Sequence, residues 1–164
     1  MQISKHLPIG GYAAALAGAA LLAGCGGGGG GEKPPALKEG KWSISTSVSH
    51  VEGVSEDQAR AMTSMNGQYS LCVDAQNAAD GLRLVAGKAL DSDCSVGGFK
   101  AGSGSSEVNL SCTGKNGATE VAAKGKVTPE GLLLAAKNTS TDPASGAKVV
   151  SDMKIMASTS KACT

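Results

Sequence analysis

From Cys94 onward the chain is punctuated by turn signals at a nearly constant interval, and this punctuation constrains its fold more than any other feature. Gly102-Ser103-Gly104, Asn116-Gly117, Pro129-Glu130-Gly131 and the stretch 143–146 mark the breaks. Asn-Gly is the strongest short hairpin signal, because both central residues of a type I′ turn need positive φ. Thr128-Pro129-Glu130-Gly131 suits a type I turn, with proline second and glycine fourth. Between the breaks lie runs of strand length: 95–100, 107–112, 120–127, 132–139 and 148–157. Strands joined by such short turns are antiparallel neighbours.

Upstream, residues 41–49 alternate with period two. Trp42, Ile44, Thr46 and Val48 share one face and serines fill the other, which describes a half-buried strand. Ser55-Glu56-Asp57-Gln58 fits a capping box and predicts a short helix through Met62. Residues 68–73 read as a second strand, with Tyr69, Leu71 and Val73 on one side and Cys72 on the other. Asp74 can cap a further short helix over 75–80. The expected fold is therefore mainly β, a single antiparallel up-and-down meander of about seven strands with one or two short helices. A curved sheet, a partial barrel and a sandwich all satisfy this pattern.

The front of the chain has a different composition. A polar start whose firm charge is Lys5 precedes an apolar run over 7–24, the layout of a secretory signal peptide. Its several glycines and a proline make it a poor membrane-spanning helix. The run ends in Leu22-Ala23-Gly24-Cys25, which resembles the lipobox of bacterial lipoproteins. That resemblance implies cleavage before Cys25, lipidation of its sulfur and acylation of its amine. Several acyl chains anchor durably where one does not. Gly rather than Asp at position 26 directs the expectation to the outer membrane, with the domain facing the periplasm. Gly26 to Gly31 and then Glu32-Lys33-Pro34-Pro35 form a leash. Treated as flexible coil, residues 26–38 would reach roughly 20 Å. The division expected is a lipoprotein signal peptide over 1–24, a lipidated cysteine and Gly/Pro-rich tether over 25–38, and a β-domain over 39–164.

Beyond Cys25 stand Cys72, Cys94, Cys112 and Cys163, an even number in a chain marked for export, which reads as two disulfides. Three connectivities exist. Cys72–Cys94 with Cys112–Cys163 is preferred, since it would staple the insert between two strands and tie the last strand to the sheet. Cys94–Cys112 is the alternative, a cross-strand bridge within one hairpin. Each bridge closes a loop long enough to contribute roughly 3 kcal/mol. The core needs this help, because after the signal only Trp42, Tyr69 and Phe99 are aromatic and small side chains dominate.

Charge excludes some functions. With Lys5 removed, 15 Lys and Arg fall to 14 against 14 Asp and Glu. The charges are interspersed, so nucleic-acid binding has no electrostatic footing. No metalloprotease, serine-hydrolase or phosphate-loop motif occurs. His50 is the sole histidine beyond the signal, at the end of the first strand. Ser145/Lys148, Ser151/Lys154 and Ser158/Lys161 match a Ser-x-x-Lys spacing. That pair works from a helix, and here it falls in turns and strands. Asp91 and Asp93 lack the rest of a calcium loop. Met62, Met65, Met153 and Met156 are placed for packing, and the sequons at Asn109 and Asn138 read as chance. No catalytic residue, metal site or cofactor is expected.

Several motifs then assemble in order. Glu39-Gly40-Lys41-Trp42-Ser43-Ile44 is followed by Tyr69-Ser70-Leu71-Cys72-Val73, Asp93-Cys94-Ser95-Val96 and Leu110-Ser111-Cys112-Thr113-Gly114, with Cys163 one residue from the end. Over 37–164 this order resembles the bacterial envelope family catalogued as domain of unknown function 3617. Residues 51–66 depart from that family's usual Met-Pro-Gly-rich loop. The resemblance implies an exported, disulfide-bearing β-domain and no established activity. The functional expectation is a non-enzymatic, lipid-anchored envelope domain whose partners are the bilayer, through Cys25, and a small ligand or envelope protein. The alternatives are a structural lipoprotein docking another envelope protein, or an enzyme of unrecognised type.

Overall fold

The structure, a computed structural model, describes residues 31–163 apart from 116, 143 and 144. The signal peptide expected over 1–24, Cys25, the glycines 26–30 of the expected tether and Asn116 of the Asn-Gly turn lie outside the described residues. Seven strands form one antiparallel sheet curled into a half-barrel. They are β1 (Gly40–Glu52), β2 (Asn66–Val73), β3 (Ser92–Lys100), β4 (Ser106–Gly114), β5 (Gly117–Thr128), β6 (Gly131–Thr141) and β7 (Lys148–Lys161). Helix α1 (Glu56–Thr63) joins β1 to β2, and α2 (Gly81–Leu90) joins β2 to β3.

The order across the sheet is β2-β1-β7-β6-β5-β4-β3. Strands consecutive in sequence are neighbours in every case but one, and β7 returns to pair with β1. The exception is β2 and β3, which form the two edges. Among the described residues the circuit of pairings is thus broken at a single seam. β2 ends beside the start of β1, with Val73 opposite Gly40. β3 begins at the other end of the sheet, with Ser92 opposite Gly114 beside the β4–β5 turn. The connection must run back along the sheet, and α2 does so while packing on β1, β2 and β3.

Helix α2 fits there because Leu82, Val85, Ala86 and Ala89 fall at i, i+3, i+4 and i+7, and all four are buried. Gly81 lets the helix start directly beneath Leu37, whose side chain would collide with any Cβ at that position. The helix expected over 75–80 is instead an Asx turn. The Asp74 carboxylate accepts from the N–H groups of Gln76 and Asn77 at 3.0 and 3.1 Å, and a single 3-10 turn (Ala78–Asp80) follows. The capping box at Ser55 forms as expected, with Ser55 and Gln58 bonded reciprocally.

Register lines up the core in rows. Val108, Ala123, Ala136 and Met153 stand opposite one another across four strands, and all are buried. Trp42 is fully buried, and its ring N–H donates to the Lys38 carbonyl at 2.9 Å. Bulges between Val48 and His50 and between Val96 and Gly98 reset the alternation. Val51 and Phe99 consequently turn inward, while His50 faces solvent.

Candidate functional site

Among the described residues, the sheet presents at the seam two edges that pair with no further strand, and α2 lies between them. A groove of about 560 Å³ opens there. Leu71 and Cys72 of β2 form one wall, Asp93 and Cys94 of β3 the other, and Arg83 and Leu84 of α2 lie between. Arg83 sits 3.4 Å from Asp93 and 4.0 Å from Asp80, so an ion pair links the helix to the β3 wall. Asp91 ends α2 in the left-handed region, with φ 48°, and its N–H bonds the Gly87 carbonyl. Asp91 and Asp93 are thus a helix cap and a groove wall.

Both disulfides hold the seam's edges, in a pairing that differs from the expected one. Cys94 bonds Cys112, its direct partner across the β3–β4 ladder, and both are buried. Cys72 bonds Cys163, joining β2 to the tail beyond β7, and both are exposed. The preferred Cys72–Cys94 and Cys112–Cys163 links are corrected for two reasons. Cys72 and Cys94 lie on opposite walls of the groove, and Cys72 points outward beside Lys41 whereas Cys94 points into the core. To reach Cys72, the tail crosses the start of β1. Gly40 makes this crossing feasible: its φ is +144°, and a Cβ there would lie 2.6 Å from Thr159 Oγ1 and 2.7 Å from the Lys161 carbonyl oxygen.

A second surface lies on the outer face of β4 to β7, a cleft of about 850 Å³. Lys124, Lys126, Lys137 and Lys154 stand around small Ala135 and exposed Leu133, with Glu107 and Asp152 at the margin. Lys124 bonds Glu107 at 2.8 Å. That hydrogen bond and its charge hold the Glu107 carboxyl below its usual range and raise the Lys124 ammonium. Leu133 lies opposite Met156 in register, and both are exposed. Interspersed in sequence, these lysines gather because alternate residues on neighbouring strands share a face.

His50 is exposed and 3.0 Å from Glu52, whose carboxyl is lowered by that hydrogen bond and by the imidazole's charge. Met153 points into the core and Met156 out of it, while Met65 is exposed beyond α1. Among the described residues, no three His, Cys, Asp or Glu side chains converge. Sequence reasoning missed Arg83, Leu84 and the rest of α2; the signal available was the helical spacing of Leu82, Val85, Ala86 and Ala89.

A family model described as "Protein of unknown function (DUF3617)" matches residues 37–163. No curated protein and no solved structure matches the chain.

Proposed function

We propose, from the premise that the chain belongs to the DUF3617 family of proteins of unknown function, that it is a lipid-anchored, non-enzymatic binding module of the cell envelope. Cys25, behind the apolar leader, is the acylated anchor, and the domain faces the periplasm from the outer membrane. The four remaining cysteines stand in two bonded pairs, which supports an oxidising compartment. The ligand is a short extended peptide segment of an envelope partner, taken up at the seam.

One observation carries this reading: among the described residues the circuit of strand pairings is interrupted at a single place, and a groove lies there between two edges that no described strand covers. Unpaired edges offer backbone donors and acceptors to an added strand, and half-buried Leu71 and Leu84 offer apolar contact beneath it. The disulfides fix both walls covalently, so little ordering cost falls on binding.

Hydrogen exchange on protein extracted gently from its own membrane, compared with the same protein refolded alone, tests the reading. Slower exchange over 68–72 and 93–97 in the extracted sample is expected. Protection confined to 124–137 would reject the seam. A second reading, docking of another envelope protein on the outer face, is favoured by the exposed Leu133–Met156 pair and predicts that second pattern.

A further inference from the structure

We propose that the end of the half-barrel carrying the β3–β4 and β5–β6 turns is held against the lipid headgroups, because the leading segment is strapped to that end. This rests on the reading of Cys25 as the acylated anchor. The sequence alone suggests a slack leash running to Lys38. The structure shortens it, because residues 31–38 are docked on the domain.

Gly31 lies on the backbone at the end of β3, where a Cβ would stand 3.0 Å from the Phe99 carbonyl oxygen and 3.1 Å from its nitrogen. The Glu32 carboxylate accepts from the Ala101 N–H at 2.6 Å. Leu37 is 2 % exposed, and its N–H donates to the Ala78 carbonyl at 2.9 Å. The Lys38 N–H donates to the Pro129 carbonyl at 2.6 Å, and its ammonium bonds Glu130 at 3.0 Å. The strap thus crosses one end of the half-barrel, from the β3–β4 turn to the β5–β6 turn.

The chain between Cys25 and Gly31, however arranged, spans at most about 22 Å. Strand β7, with 14 residues, is roughly 45 Å long. The strapped end must therefore stay near the bilayer, while α1 and the β6–β7 turn can stand well away from it. Lys33, Lys41, Lys100 and Lys161 are exposed at the strapped end. Acidic groups stand there as well: Glu32 is engaged by Ala101, Glu130 by Lys38 and Glu107 by Lys124, while Glu39, Asp74 and Asp80 are exposed.

The test uses full-length, cell-processed protein in vesicles of phosphatidylethanolamine and phosphatidylglycerol, treated with a water-soluble amine reagent and mapped by mass spectrometry. Lys33 and Lys100 should label several-fold more slowly than Lys115 and Lys148, relative to the same protein in detergent. Inserting about twenty Gly and Ser residues after Gly28 should abolish the difference by lengthening the leash. Equal labelling at both ends, with Cys25 acylated in the same digest, would overturn the orientation alone. An unacylated Cys25 would remove the anchor and the orientation with it.

Discussion

At one edge of the seam, Cys94–Cys112 lies inside the core and joins residues that already face each other across a ladder. At the other edge, Cys72–Cys163 lies at the surface and joins segments that share no ladder, spanning a separation of 91 residues against 18. The first bond reinforces a hairpin that its own turn and side-chain pattern would form. The second ties β2 to the end of the chain and straps the tail over the start of β1. The difference teaches that cross-links here follow the break in the sheet. Every strand except β2 and β3 has a ladder on both sides, and those two each carry one cysteine.

Removing the clasp with Cys72→Ala and Cys163→Ala should have the largest effect. Releasing a loop of that length costs about 4.6 kcal/mol in the chain-entropy account. Urea unfolding measures it, and amide exchange should show β2 fraying first. Replacing Cys94 and Cys112 with alanine releases the shorter loop and should cost about 3 kcal/mol. If the hairpin pair proved the costlier, packing of the buried sulfurs would outweigh chain closure and the comparison would invert.

Ser55→Ala removes the α1 cap on the clasp side and should cost about 1 kcal/mol, read by the same unfolding curves. The smallest effect is expected on the hairpin side, from Glu107→Gln. The Glu107 carboxyl is held below its ordinary value, so its contribution is present above that ordinary value and fades as pH falls through the lowered one. The raised Lys124 keeps its contribution until pH climbs through its own folded value. Both groups lie at the surface, and melting temperatures at neutral and acidic pH should match the parent's. A clear loss at neutral pH alone would show that the lysine face is an organised part of the fold.

Local rules made much of this fold legible. The turns at 102–104 and 129–131 bound strands where expected, Ser55 caps its helix, and Trp42 and Ile44 enter the core. What escaped depends on long-range placement. Nothing local dictates that β1 pairs with β7, and without that pairing β2 and β3 read as adjacent. The preferred cysteine pairing, chosen to staple the insert between two strands, does not survive that placement. Side-chain parity offered a warning, because Cys72 lies opposite in phase to Leu71 and Val73. Helix α2 was obscured by Gly81 and Gly87, poor helix formers kept here for close approach to Leu37 and to the Ser92 carbonyl. The lysine face was hidden because sequence order separates residues that the pleat brings together.

The open seam is tested most directly by peptide mapping of unreduced protein taken from its native membrane. The account predicts two cystine peptides, Cys72 with Cys163 and Cys94 with Cys112. A Cys72–Cys94 link would place β2 and β3 in contact, and the groove between them, with α2 at its floor, could not exist.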